Sequence, residues 1–136
     1  MAKDHSTNMR GLRSGGVAAG LGLLGGVPTS ILSGLEAYAG QHIGDSLLGI
    51  PKEHTFLNEA GRGATGEGII GAGIGATGGA IASSIKKDNP LLKFLMKNGV
   101  SRAKAAAILI GGLGAASGAG GALSGGISSG LANRDW

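Results

Sequence analysis

Residues 105–133 read AAAILIGGLGAASGAGGALSGGISSGLAN, a long run without one charged side chain. As a helix rising ~1.5 Å per residue it would reach roughly 44 Å, more than the ~30 Å hydrocarbon core of a bilayer. Gly114, Gly118, Ala122, Gly126 and Gly130 recur every fourth position and share one helical stripe. Such a stripe lets helix backbones approach closely, the packing mode that lipid-embedded helices favour. The expectation from this stretch is a glycine-zipper helix able to cross a membrane.

Two further charge-free runs flank it in the chain. Residues 14–35 carry small side chains at Ser14, Ala18, Gly22, Gly26, Ser30 and Gly34, with Pro28 inside, which kinks a helix or splits it. Residues 68–85, GIIGAGIGATGGAIASSI, repeat the stripe at Gly71, Gly75, Gly79 and Ser83 and are near the lower length limit for a span. All charges lie outside the three runs. The expected architecture is therefore all-α: a helical membrane protein of three glycine-zipper apolar helices, the first kinked at Pro28, with a short basic amphipathic helix between the second and third.

The segments between the runs differ in charge. Residues 1–13 form a basic arm, read as solvated, and residues 134–136 a short tail. Residues 36–67 are acid-rich, with Glu36, Asp45, Glu53, Glu59 and Glu67 against Lys52 and Arg62, and are expected to be a surface loop with short helices. Residues 86–104 are basic, with Lys86, Lys87, Lys93, Lys97, Arg102 and Lys104 against Asp88. Asn89 before Pro90 suits a helix start, Asn98-Gly99 a helix end, and Ser101 the cap of the helix that follows. These six cations are the expected contacts to an anionic membrane surface or to phosphates. Three crossings would place the arm and this basic connector on one side. The positive-inside rule makes that side cytoplasmic or interior, with the C-terminus opposite.

Composition narrows the classes. Glycine supplies 30 of 136 residues, but only 3 prolines exclude a collagen repeat, and a mean hydropathy of +0.22 does not suit a polar disordered linker. The absence of cysteine excludes disulfides and thiolate metal sites. A basic arm, an apolar run and Ala37-Tyr38-Ala39 also fit a cleaved signal peptide, although the run exceeds a usual signal core and Glu36 adjoins the site. Gly73–Gly78 and Gly20–Gly25 match G-x-G-x-x-G, yet neither has the preceding strand and following acid of a dinucleotide fold. His5, His42 and His54 are scattered, and the acids of residues 36–67 read as a solvated face. No catalytic, cofactor or metal site is expected, and the chain is not read as an enzyme.

The three runs resemble those of small glycine-zipper membrane proteins. Gly/Ala-rich chains without aromatic belts also look like phage virion proteins that insert into a membrane during genome delivery. Some mitochondrial translocase subunits share glycine zippers, with four spans rather than three. The resemblance implies a structural virion or envelope component, in a virion or host-cell membrane, whose helices self-associate to form or line a passage. Implied partners are the bilayer, further copies of the chain and other virion proteins. The alternatives are a pore-forming bacteriocin- or holin-like protein, and a soluble accessory protein that binds nucleic acid through the basic connector.

Overall fold

The computed structural model describes residues 6–85 and 90–135, and every regular element among them is helical. Ser6 caps α1 (Thr7–Gly22), its hydroxyl accepting a hydrogen bond from the Met9 amide. A single 3-10 turn (Leu23–Gly25) follows, and Gly26 at φ +102° reverses the chain in a conformation that side chains disfavour. Pro28 then falls in the first turn of α2 (Val27–Leu48), where a missing amide hydrogen costs nothing. The expected kinked first span is thus a hairpin. Pro28 starts its second helix instead of bending one long helix, and residues 14–35 cannot cross a membrane as one rod.

Gly49, at φ +73°, ends α2, and α3 (Phe56–Ile85) begins after a short link. The expected acidic loop is therefore mostly helix: residues 36–48 complete α2 and residues 56–67 open α3. The short α4 (Pro90–Lys97) lies where the sequence suggested. Gly99 at φ +86° turns the chain, and the Ser101 hydroxyl accepts from the Lys104 amide at 3.3 Å to cap α5 (Arg102–Asn133). Asn89, expected to cap α4, lies outside the described residues. Leu92 of α4 packs on Ala105 and Leu109 of α5, with Leu95 and Val100 alongside.

Two antiparallel hairpins result, α1/α2 and α3/α5, and they meet at one end. α3 runs along most of α5, from Gly63 against Gly125 to Gly79 against Ile110. α2 crosses α3 where Gly40 meets Gly66 and Gly44 meets Arg62, and α1 touches α5. Asn133 Nδ2 donates to the Arg10 carbonyl at 3.2 Å, so the start of α1 and the end of α5 share that end. Three alternating spans would separate them; the hairpin at Gly26 brings them together. The basic arm is corrected likewise, because residues 7–13 form the first turns of α1 and Arg10 is buried.

Glycine sets the helix separations. A Cβ at Gly71, Gly75 or Gly79 would fall on the α5 backbone at Ser117, Leu113 and Ile110 respectively. Gly114 and Gly118 face Ala72, Gly126 faces Ala64, and Gly130 lies under the Phe56 ring. Gly22 faces Ser30 and Gly34 faces Ala19 within the first hairpin, whereas Gly26 serves the turn.

Among the described residues one helix, α5, is long and apolar enough to cross a membrane, not three. Residues 68–85 are charge-free, but their six glycines and three hydroxyl residues add little hydropathy. The first run is broken at Gly26. Gly75→Ala should lower the thermal midpoint of the full chain in mild detergent, because its Cβ has no room at the Leu113 carbonyl. Gly73→Ala, with open space around it, should raise stability by up to ~1 kcal/mol through helix propensity. Equal midpoints for the two variants, followed by circular dichroism, would refute close backbone packing as the basis of the α3/α5 pair.

Candidate functional site

Where the two hairpins meet, the interior is polar. Arg10, Gln41, Glu59, Asn133, Ser14, Ser128 and Ser129 are fully buried, and the buried apolar side chains at that end are the alanines Ala18, Ala37 and Ala132. Arg10 of α1 makes a two-pronged contact to Asp45 of α2, Nε to Oδ2 at 2.9 Å and Nη2 to Oδ1 at 3.0 Å. Its Nη1 donates to Glu59 Oε1 of α3 at 2.9 Å, and Nη2 lies 2.6 Å from Glu59 Oε2. Burial works against the guanidinium charge. Hydrogen bonds and attraction from Asp45 and Glu59 outweigh it and hold the Arg10 pKa above its ordinary value. His54 Nδ1 reaches Glu59 Oε1 at 2.8 Å from the α2/α3 link.

A second layer ties in α5. Gln41 donates to Asp45 Oδ1 at 2.9 Å, and its Oε1 accepts from the hydroxyls of Ser14, at 2.7 Å, and Ser129. Asn133 Nδ2 adds Ser14 Oγ at 2.9 Å. These groups occupy one side of each helix. Ala37, Gly40, Gln41, Gly44 and Asp45 fall on one stripe of α2, where small residues admit α3 and the two polar side chains reach the centre. Most donors and acceptors of this arrangement are spent on each other, although Asn133 Oδ1 is buried without a hydrogen-bond partner. Among the described residues no group of three His, Cys, Asp or Glu side chains is placed to hold a metal.

The second feature is a cavity of about 280 Å³ between the hairpins. Ala18, Leu21 and Ile127 contribute apolar wall, and Glu36 of α2 and Glu67 of α3 contribute carboxylates. Glu67 is 4% exposed and threads between two glycines: a Cβ at Gly40 would meet its Cγ, and one at Gly125 its Oε2. Ser124 Oγ reaches Oε1 at a long 3.4 Å, and Oε2 is buried without a hydrogen-bond partner. Burial, with the negative charge of Glu36 adding to it, pushes the Glu67 carboxyl up to about 7.

Three of the five acids of residues 36–67 are therefore not on a solvated face, whereas Glu53 is exposed and Glu36 half-buried. Asp45, Glu59 and Glu67 are all buried, since α2 and α3 turn them inward. Sequence reasoning missed this centre. The signal available was Gln41 and Asp45, four apart on a small-residue stripe, a pattern that an exposed helix does not require. His54 is half-buried against Glu59, and the His42 ring lies 4.6 Å from that of Tyr38, tilted by 57°. Gly73–Gly78 lies inside α3 with no strand before it. Of the six basic connector residues, Lys93, Lys97, Arg102 and Lys104 are exposed around α4 and the start of α5, whereas Lys86 and Lys87 lie outside the described residues. Neither a protein-family model, nor a curated protein, nor a solved structure matches the chain.

Arg10→Met should cost about 3–5 kcal/mol, because it strands two buried carboxylates. The triple variant Arg10→Met, Asp45→Asn, Glu59→Gln should recover much of that loss. Denaturant titration of the three proteins checks both statements. Glu67 sets a pH dependence. Its folded pKa of about 7 exceeds an ordinary value of 4.5, so the unfolded chain ionises first. Stability should be fully present below about 4.5 and fall as pH rises towards 7. Glu67→Gln should flatten that decline, and a parallel decline in the variant would assign it elsewhere.

Proposed function

We propose that this protein is a membrane-inserting structural protein that enters the bilayer with the free ends of its two hairpins and self-associates to form or line a passage. The observation that carries the reading is an inversion of polarity in the hairpins: Arg10, Asp45, Glu59 and Glu67 are buried, and large apolar side chains lie outside. Leu24 is 94% exposed, and Leu21, Leu23, Val27, Ile31, Leu32 and Leu35 around the first hairpin tip are all half-exposed or more. Ile74 and Ile81 on α3 and Ile108, Leu113 and Leu123 on α5 are also exposed. Only 11% of the most apolar part of α5 is buried, whereas a core helix of a water-soluble protein would be mostly covered. In lipid these side chains have a matching solvent, and ionisable groups face the bundle interior.

The lengths fit. Beyond Glu67, residues 68–85 measure about 27 Å as helix, and residues 105–123 of α5 about 28 Å, both close to the ~30 Å core. In this reading α5 is the segment apolar enough to cross, and residues 68–85 accompany it as its glycine-packed partner. The α1/α2 hairpin, shorter from the junction to its tip, enters alongside as a re-entrant element. The buried polar end stays outside the hydrocarbon, and the connector with α4 lies on the far side. Leu91 and Phe94 of α4 are exposed beside Lys93 and Lys97, as suits an interfacial helix.

Self-association follows from glycines left uncovered. Gly16 and Gly20 on α1, Gly73 on α3, and Gly112 and Gly120 on α5 have open space around them, so small-residue surface remains for a further helix. The resemblance to phage genome-delivery proteins accords with such an assembly and suggests what passes. A soluble nucleic-acid-binding role would leave the exposed leucines and isoleucines in water and is disfavoured for that reason. The connector holds six of the twelve Lys and Arg residues, so once the other segments share a side, the basic count sets no preferred orientation.

The chain has no cysteine, so single cysteines report sidedness cleanly. Ser6→Cys and Ser46→Cys should react with an impermeant thiol reagent from one side of sealed vesicles, and Ser101→Cys from the other. Labelling of Ser46→Cys and Ser101→Cys from the same side would exclude the α3/α5 crossing. Release of the protein into a carbonate wash would exclude insertion altogether.

A further inference from the structure

We propose that the cavity between the two hairpins is a binding site for an organic ammonium ion carrying a short apolar tail. It is lined from four helices, by Ala18 and Leu21 of α1, Glu36 of α2, Glu67 of α3, and Ser124 and Ile127 of α5. Two carboxylates converge on it, and no lysine, arginine or histidine lines it. Elsewhere in the same interior, two buried carboxylates are matched by Arg10. Here, among the described residues, no cation matches them.

The carboxylate is built in, not incidental. Glu67 is 4% exposed, and its Oε2 is buried without a hydrogen-bond partner. Gly40 and Gly125 leave it the only room it has. A buried acceptor left unmatched is costly; Oε2 itself lies against Gly125, so an ammonium in the cavity would act on it through attraction to the Glu67 carboxylate and would hydrogen-bond at Glu36. The groups that face Glu67 are Glu36 from α2 and the Ser124 hydroxyl from α5, and α1 contributes only apolar wall. A proton competes with such a cation for the same carboxylate charge, consistent with a carboxyl pushed up to about 7.

The shape selects the class of cation. About 280 Å³ is several times the ~30 Å³ share of one water molecule, far more than a bare ion fills. Calcium takes 6–8 oxygen ligands, roughly twice what two carboxylates offer without a third acidic group. Leu21, Ala18 and Ile127 would instead cover a few methylenes next to the charged head. The site is independent of membrane insertion, because it is complete within one folded chain.

The test uses the full chain in a neutral detergent, with n-hexylammonium and n-hexanol as probes and chemical-shift titration as the readout. About one pH unit above the Glu67 pKa of about 7, hexylammonium should bind at least about tenfold more tightly than hexanol. About two units below it, that preference should vanish as Glu67 takes up its proton. Glu67→Gln should remove the preference at both pH values. Glu36→Gln, at a half-exposed position that does not endanger folding, should weaken it. Equal binding of amine and alcohol by the wild-type chain, or a preference unchanged in both variants, would overturn the proposal. Titration with phosphatidylethanolamine in the same micelles separates sources: displacement of bound hexylammonium assigns a lipid head group, and no displacement assigns a free amine.

Discussion

Arg10 is the side chain on which the junction of the two hairpins depends. It is the cation shared by α1, α2 and α3, and its backbone carbonyl is tied to Asn133 at the end of α5. A buried ion pair of this kind adds little net stability, since desolvating both partners offsets most of the attraction. What it adds is geometric selection. A guanidinium that grips Asp45 with Nε and Nη2 and Glu59 with Nη1 and Nη2 accepts one arrangement of the three helices and penalises the rest. The small-residue faces by which α1/α2 meets α3/α5 could otherwise slide past one another with little change in contact area. Arg10 removes that freedom.

Glycine is what allows the polar centre to form. The side chains of Gln41 and Asp45 reach across because Gly40 and Gly44 let α2 lie against the α3 backbone at Gly66 and Arg62. Bulkier residues would push the helices apart and open the hydrogen bonds of Ser129 and Gln41 to water. The same small residues explain why few large side chains are buried: at this separation there is no space between the helices for leucine, so the leucines face outwards. Polar interior and apolar exterior are two results of one packing distance.

How much of this was legible in the sequence depends on how local the cause is. The helical character, the stripe at Gly71, Gly75 and Gly79, and the Gly99 and Ser101 boundary of α5 follow from spacing and from residues within a few positions of each other. The reversal at residues 23–26 was harder. Leu23 and Leu24 continue the apolar run, Gly26 also fits the four-residue stripe, and Pro28 is equally suited to a kink and to a first helical turn. That ambiguity inverted the expected arrangement of the chain ends. Arg10, Asp45 and Glu59 were not legible at all as a centre, because they are separated by 35 and 49 positions and each alone resembles an ordinary surface charge. Only the fold decides which charges are inside.

The interior then treats two carboxylate pairs in different ways, and the contrast bears on how the hairpins behave. Asp45 and Glu59 share a resident cation, Arg10, which offsets part of their charge within the chain and ties three helices together at that end. Glu36 and Glu67 have none, and they stand where the hairpins begin to part. With Glu67 ionised, repulsion between α2 and α3 and the unmet demand of its buried oxygen favour separation at this level. With a proton or another cation present, both terms are relieved. The hairpins are thus tied by charge at one end and, further along, carry facing carboxylates whose repulsion an external cation would reduce.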